Sequence, residues 1–193
     1  MTRGRRIATA LWAVMLALLW LLPGCANNDA SQDPTQATQQ AAVDHRTEER
    51  ARVGNLISTH LEFRMKAKGY PEYYCSAYVQ EQTGELVVLA TDVEAIKADF
   101  LPLLADYETV AYTIEKCGAS KSKLLALGNT IRDNVQTLYD QGIRLVAINY
   151  PVDACMVYVS VEDLTPEKEQ AILSLVGSDS QFIRVYDSGP HDP

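Results

Sequence analysis

The sequence is poor in basic residues and in histidine. Its 193 residues include 17 Lys and Arg against 25 Asp and Glu, which leaves a formal net charge of −8. A nucleic-acid partner is therefore not expected, because phosphate binding needs a positive surface. The three histidines, His45, His60 and His191, have no spacing that brings two of them onto one face. No metal site is predicted from them, and no cofactor is expected.

Catalytic motifs are also missing. The sequence has no G-x-S-x-G, no Walker loop and no C-x-x-C pair. The stretch Gly177-Ser178-Asp179-Ser180 lacks the glycines that build the oxyanion hole of a serine protease, so it is better interpreted as a turn between a helix and a strand. The carboxylates are scattered over helices, which is typical of a solvated face, although a paired-acid hydrolase stays open. We therefore expect no enzyme and assign no catalytic residue.

The longest apolar run is too short to span a bilayer. Three arginines within residues 1–6 precede residues 7–22, which carry no charge, whereas a spanning helix needs about twenty apolar residues. The run ends in L-P-G-C at residues 22–25, which resembles the lipobox of bacterial lipoproteins. The alternative is an N-terminal anchor helix with a chance cysteine, and Pro23 would end such a helix early.

The lipobox resemblance implies a signal peptide over residues 1–24 and acylation of Cys25, with palmitate among the acyl chains. Two or more chains bury enough methylene groups for stable anchoring in the lipid bilayer, at about 0.8 kcal/mol each. Residues 25–42 contain no aromatic or large aliphatic side chain, so we expect a flexible tether there. The expected location is the extracytoplasmic face of the cell membrane, where disulfides form.

The rest of the sequence predicts an α+β fold with an internal duplication. An offset of 70 residues aligns two β-β-α-β units, for example Leu89 with Val159. Each unit is marginal alone, so both should share the connecting helix as core. The alternative is two unrelated α+β pieces. The predicted segments are an N-terminal helix at 43–69, the first unit at 70–118, a connecting helix at 119–142, the second unit at 143–187 and a tail at 188–193.

The N-terminal helix and the connecting helix each carry an apolar stripe at helical spacing. Such a stripe marks the side of a helix that packs on the core. The stripe of the N-terminal helix comprises Val53, Leu56, Ile57, Leu61 and Met65. The stripe of the connecting helix comprises Leu124, Leu127, Ile131, Val135 and Leu138.

Three cysteines lie in the folded part, and the topology predicts how they pair. A right-handed crossover makes the third strand of a unit parallel to the second. If the third strand lies beside the first, Cys75 and Cys117 share an edge, and we predict a disulfide between them. It would close a loop of roughly forty residues, worth about 4 kcal/mol in the chain-entropy model. Cys155 is expected at the opposite edge as a free thiol, or else as a small buried strand residue.

Residues Tyr70 to Asp92 read Y-P-E-Y-Y-C-S-A-Y-V-Q-E-Q-T-G-E-L-V-V-L-A-T-D. This segment resembles a motif of Gram-positive surface and secreted proteins, Y-P-D-Y-Y-G-G-x-Y-I-D, a turn, and L-V-V-L-V-T. The stretch V-Y-V-S-V-E-D-L-T-P-E-K at residues 157–168 is similar to the same family's V-V-V-x-L-x-D-L-S-E-E-K. Those proteins resemble the pro-regions of chymotrypsin-like bacterial proteases of the alpha-lytic protease and streptogrisin type.

The resemblance covers about residues 70–187 and implies the fold more than the activity. In those proteases the pro-region supplies its sheet to the enzyme during folding and can inhibit it. Cys75-Ser76 stands where the family has Gly-Gly, and we expect no protease domain after this region. The implied function is non-catalytic protein binding by a sheet edge, with a secreted protease or another envelope protein as partner and a Gram-positive source favoured. The alternative is an envelope scaffold or a small-ligand-binding lipoprotein.

Tyrosine is the abundant aromatic residue, with ten in the chain. Exposed tyrosines would form a binding face, because the ring gives a large contact area and the hydroxyl a polar tip. The alternative is that the strands bury the rings, since tyrosine is common in strands. Both interpretations stay open from the sequence.

Overall fold

The computed structural model describes residues 34–107 and 110–189, and it confirms the α+β fold with two β-β-α-β units. Separately from this duplication, the chain divides by its contacts into the segments Met1–Thr38 and Gln39–Pro193. Every contact given below lies within Gln39–Pro193. The predicted signal peptide, Cys25 and the end of the tail lie outside the described residues. Within the described ranges, no helix has the length and apolar character needed to cross a membrane.

The elements follow the predicted order. The first half contains α1 (Pro34–Ala67), β1 (Tyr74–Val79), β2 (Leu86–Ala90), α2 (Val93–Leu104) and β3 (Tyr112–Lys116). The second half contains α3 (Lys121–Asp133), α4 (Val135–Asp140), β4 (Leu145–Asn149), β5 (Val157–Val161), α5 (Pro166–Val176), a 3-10 helix (Gly177–Phe182) and β6 (Ile183–Asp187).

Each unit forms a three-stranded sheet with its second strand in the centre. The orders are β1-β2-β3 and β4-β5-β6, with the first strand antiparallel and the third parallel to the second. Tyr74 pairs with Ala90, and Leu145 pairs with Val161, so the strand pairing repeats at an offset of 71 residues (74 to 145, 90 to 161).

The predicted offset of 70 residues is therefore wrong by one. A slip of one residue exchanges the two faces of a strand. The sequence conceals that slip because β2 is buried on both faces along its whole length, so either register matches apolar residues with apolar residues. The face that α2 covers on β2 corresponds to the face that α5 covers on β5.

Both first strands contain a β-bulge at the same place. Between Tyr74 and Ser76 the partner in β2 moves by only one residue, which leaves Cys75 as the extra residue. Val146 is the extra residue of β4 in the same way. A bulge bends the strand and redirects a side chain. In the first unit, that side chain is the thiol of Cys75, which packs in the core shared with α3.

The first sheet is covered on both faces. One face of β2 carries Leu86, Val88 and Ala90, which pack with α1 and α2. The other face carries Val87 and Leu89, which pack in the core shared with α3 and the second unit. The residues of α1 and α2 that complete the first core are Ile57, Leu61, Met65, Ile96 and Phe100.

Helix α1 differs from the prediction at its start and along its stripe. It begins at Pro34 rather than at residue 43, so residues 34–42 are helical instead of tether. Proline suits the first helical position, and the Gln and Ala residues that follow favour helix. Leu56 of the predicted stripe is exposed, and Gly54 is buried in the core instead. A Cβ at Gly54 would lie 2.8 Å from Val79 Cγ2, so the backbone of α1 approaches β1 closely there.

The connecting helix is broken at Asn134. The Asn134 N–H donates to the Ile131 carbonyl at 3.2 Å, and its Nδ2 donates to the Thr130 carbonyl at 2.9 Å. These bonds satisfy carbonyls at the end of α3, so the helix can stop and restart as α4. The break also turns Val135 outward, where it is exposed although the sequence placed it in the apolar stripe.

Candidate functional site

Three cysteines from distant segments converge at one place, which we call the thiol cluster: Cys75, Cys117 and Cys155. Their Sγ atoms all lie within 4.8 Å of one another. Cys75 is buried, whereas Cys117 and Cys155 are half-buried, so the cluster opens to solvent on one side. All three are free cysteines in this structure, and the Cys75–Cys117 disulfide stays a prediction.

The predicted strand layout behind that disulfide is wrong. Strand β2 lies between β1 and β3, so the first and third strands do not share an edge. Cys75 and Cys117 instead approach across the end of β2, where the Cys117 N–H donates to the Ala90 carbonyl at 2.8 Å. The position predicted for Cys155 at the opposite edge is wrong as well, because its Sγ lies in the cluster.

Two contacts place Cys155 there by holding the loop between β4 and β5. The Ser76 hydroxyl donates to the Val152 carbonyl at 2.5 Å, which ties the loop to β1 beside the bulge. At the start of the loop, the Tyr150 hydroxyl lies against α3 at Gly128, where a Cβ would come within 1.9 Å of it. The β4–β5 loop of the second unit therefore packs on β1 and α3, and this places Cys155 beside the other two cysteines.

The three thiols share their protons unequally. Hydrogen bonds from Cys155 and Cys75 hold the pKa of the Cys117 thiol well below its usual range. Hydrogen bonding to Cys117 raises the pKa of Cys75 and that of Cys155. Groups this close titrate as a set. The lowered pKa makes Cys117 the thiol of the cluster that most readily becomes a negatively charged thiolate.

The start of α3 favours that negative charge. Ser120 caps α3, and its hydroxyl accepts from the Lys123 N–H at 3.3 Å. Cys117 lies just before this cap and close to the positive end of the helix dipole. In its thiol form, Cys117 donates to the Ala119 carbonyl at 3.3 Å. The cluster can therefore do two kinds of chemistry: pair two of its sulfurs as a disulfide, or bind a thiophilic cation.

The sequence contains the cysteines but not the spacing of a known motif. They are separated by about forty residues each, so no local pattern predicts that they meet. One feature of the sequence points to the site: at Cys75-Ser76 the sequence departs from the Gly-Gly expected under the predicted resemblance. The structure uses both residues, since Cys75 supplies a sulfur and Ser76 holds the loop of Cys155.

A second polar cluster joins α1 to α2 around Asp99. This carboxylate is only 6% exposed and accepts from Lys68 Nζ at 2.5 Å and from the Tyr73 hydroxyl. Arg64 Nε lies 3.4 Å from it. Burial alone would raise the pKa of Asp99, but the hydrogen bonds from Lys68 and Tyr73 and the two positive charges outweigh burial and lower it. The sequence did not predict this cluster.

A third group lines an open cleft of about 380 Å³ beside α1 and β1. Both oxygens of Glu62 accept phenol hydroxyls, from Tyr70 at 2.9 Å and from Tyr74 at 2.5 Å. Burial and these bonds raise the pKa of Tyr70 to about 12. The cleft also contains Lys66, Lys121 and the exposed Phe63, so its lining is mixed in polarity.

The structure does not bring the other sequence candidates together. His45 and His60 are exposed on α1, and His191 lies outside the described residues. Gly177 to Ser180 belong to the 3-10 helix between α5 and β6, which confirms their interpretation as a helix-to-strand connection. Asp179 in this connection pairs with Lys123 Nζ at 2.7 Å.

No protein-family model matches the chain. A search of the curated proteins found no match either.

The contact between Tyr150 and α3 gives a test of how the loop is held. We expect Gly128→Ala to lower the free energy of unfolding by about 1–3 kcal/mol, because the new Cβ would overlap the Tyr150 hydroxyl. Helix propensity alone would make this substitution stabilise the protein by roughly 1 kcal/mol. The sign of the change in the free energy of unfolding, measured with urea, therefore shows whether the overlap with Tyr150 is present.

Tyr150→Phe is the matched control for that overlap. The Tyr150 hydroxyl is buried and has no hydrogen-bond partner among the described residues. Its removal should be neutral or stabilising by up to about 1 kcal/mol. The double variant should recover part of the Gly128→Ala loss. A Gly128→Ala protein that is more stable than the wild type would contradict the contact.

Proposed function

We propose that the chain is a lipid-anchored extracytoplasmic protein that binds another protein through the second sheet, in a non-catalytic role similar to that of a protease pro-region. The observation that carries the proposal is an asymmetry between the two units. Val87 and Leu89 of β2 are buried against α3. Their equivalents at the 71-residue offset are the half-buried Tyr158 and the buried Ser160, on a face that also carries the exposed Arg184 and Tyr186 of β6.

That face contains the residue types that dominate protein interfaces. The rings of Tyr158 and Tyr186 meet edge to face, with centroids 6.3 Å apart. The Arg184 guanidinium lies 5.9 Å from the Tyr158 ring centroid. Tyrosine offers a large contact area at low conformational-entropy cost, and arginine stacks on aromatic rings.

Strand β6 offers an edge next to this face. It pairs with β5 on one side, and no other described strand pairs with its outer side. The Ser188 N–H donates to the Val161 carbonyl at 2.9 Å, so by alternation along the ladder the Asp187 N–H points away from β5. An extended segment of a partner could add to the sheet here, with the tyrosines and Arg184 selecting its side chains.

The small-ligand alternative gains no specific support. It needs a closed apolar pocket, whereas the cleft at Glu62 and Tyr70 is open to solvent and lined partly by lysines. We therefore propose protein binding alone.

Edge pairing is tested by Asp187→Pro, which removes an outward N–H without touching the core. We expect at least a tenfold loss of affinity for the partner. The duplication supplies a matched control, Lys116→Pro, which is the equivalent position of β3 and should bind like the wild type. The partner is trapped on intact cells by a photo-reactive side chain at Arg184, with the equivalent Thr113 as the control position. Equal cross-linking at both positions, or equal binding by both proline variants, would contradict the proposal.

The pro-region likeness is tested on a panel of secreted chymotrypsin-like serine proteases. The full chain should inhibit one of them or raise its refolding yield, and Asp187→Pro should remove that effect. Absence of both effects across the panel would reject the likeness while leaving the cross-linking result to decide protein binding.

Anchoring is tested separately through Cys25. The wild type should incorporate labelled palmitate and fractionate with membranes, whereas Cys25→Ser should do neither. Unchanged labelling of Cys25→Ser would show that the lipobox interpretation is wrong.

A further inference from the structure

The geometry of the thiol cluster suits one small ion. When three points lie within 4.8 Å of one another, a common centre exists within about 2.8 Å of each. A metal–thiolate bond is about 2.3 Å long. Each sulfur would thus move by only about half an ångström to bind a central cation. We propose that Cys75, Cys117 and Cys155 bind one thiophilic d10 cation, with Cu(I) preferred over Zn(II).

The donor set decides the class of metal. Thiolates select soft cations such as Cu(I) and Zn(II), whereas Mg²⁺ and Ca²⁺ require oxygen ligands. No His, Asp or Glu side chain in the described ranges joins the three sulfurs. Zn(II) is almost always four-coordinate in proteins and would have to take its fourth ligand from solvent. Three sulfurs alone satisfy Cu(I), which accepts three-coordinate sites.

The cluster is built into the fold before a metal arrives. The bulge in β1 turns Cys75 toward the core shared with α3. The end of β3 fixes Cys117 through its N–H bond to the Ala90 carbonyl. The Ser76 bond to Val152 and the Tyr150 contact hold the loop of Cys155. A site assembled from fixed elements loses little entropy on binding.

Access and charge also fit a bound cation. Cys117 and Cys155 are half-buried, so an ion can enter from solvent, while the buried Cys75 closes the far side. Cu(I) is bound here by three thiolates, so its binding displaces the protons of those cysteines that are still thiols. The site then carries a formal charge of −2, which the adjacent N-terminus of α3 helps to stabilise. Because protons leave on binding, the affinity should rise with pH.

A disulfide is the competing state of the same cluster. A disulfide needs a sulfur–sulfur distance of about 2.05 Å and uses two of the three cysteines. A bound cation uses all three at longer distances and keeps them from pairing. A chelator used without reductant removes bound metal but leaves a disulfide intact. The two states therefore differ in the number of cysteines that then react with a thiol reagent.

The test is titration of the reduced full chain, in detergent and without oxygen, with Cu(I) supplied as its acetonitrile complex and with Zn(II) supplied as chloride. We expect one Cu(I) per chain by native mass spectrometry and three sulfur neighbours at about 2.3 Å by X-ray absorption. Bound Cu(I) should protect all three clustered cysteines together from alkylation. This last measurement uses the wild-type fold.

Variants separate the cluster from the remaining cysteine. Cys155→Ser and Cys117→Ser change half-buried sulfurs and should each lower the Cu(I) affinity by at least about 100-fold. Cys25→Ser should bind Cu(I) like the wild type. Circular dichroism checks that each variant is folded.

The following results would overturn the proposal. One is protection of only two cysteines. Another is a Cu(I) affinity of the wild type that is no higher than that of Cys117→Ser or Cys155→Ser. A third is tighter binding of Zn(II) than of Cu(I) by the wild type. Protein isolated from cells with a complete disulfide and no metal would overturn it as well.

Discussion

Replacement of Asp99 by alanine is expected to lower the free energy of unfolding by about 2–4 kcal/mol. The carboxylate is buried and accepts from Lys68 and from Tyr73. Removing one partner of a buried ionic group leaves the others unsatisfied, which costs about 3–5 kcal/mol in a fully buried site. Here Lys68 and Arg64 are 44% and 40% exposed and can return to water, so we expect a smaller loss than in a fully buried site.

The stabilisation that Asp99 provides depends on pH. The folded-state pKa of Asp99 lies below its usual value, so the carboxylate stabilises the fold above its unfolded pKa of about 3.9. This contribution is lost as the pH falls through the lower, folded pKa. The stability difference between the wild type and Asp99→Asn should therefore be constant from neutral pH to about pH 5 and shrink below about pH 4. Urea unfolding at several pH values measures it.

Glu94 provides the control on the same helix. It pairs with Lys97 Nζ at 2.6 Å but is 82% exposed, and exposed ion pairs contribute about 0–1 kcal/mol. Glu94→Ala should therefore change the stability far less than Asp99→Ala. Equal losses in the two variants would show that the Asp99 cluster does not hold α1 to α2.

The sequence predicts the fold well where one face of an element is apolar and the other is polar. The apolar residues Ile57, Leu61 and Met65 of α1 are buried as expected. Prediction fails where both faces are apolar, as in β2, because the pattern then contains no information on register.

The thiol cluster could not be predicted because it depends on contacts between the units. A bulge is invisible in a sequence until the partner strand is known, and the bulge decides where Cys75 points. The position of Cys155 depends on a serine hydroxyl and on the missing side chain of Gly128 in α3. Each of these residues has an ordinary role in its own element. Only the packing of the two units against each other makes them all contribute to the thiol cluster.

Gly84 should be the glycine that tolerates substitution least, and we expect Gly84→Ala to lower the free energy of unfolding by at least about 3 kcal/mol. Its φ is +67°, which disfavours a side chain by roughly 1–2 kcal/mol. In addition, a Cβ would lie 2.6 Å from the Thr47 carbonyl oxygen and 3.1 Å from the Ala51 nitrogen. These are backbone atoms of α1, so the clash is not relieved by a rotamer change.

Gly142 isolates the conformational part of this effect. Its φ is +77°, but no atom lies within 4 Å of a Cβ built there. Gly142→Ala should therefore lose only the conformational share, about 1–2 kcal/mol, and the difference between the two variants measures the close approach of α1 to the β1–β2 turn. Urea unfolding gives both values, and limited proteolysis should cleave α1 faster in Gly84→Ala. If the two variants lost the same stability, α1 would not pack against this turn as the structure shows.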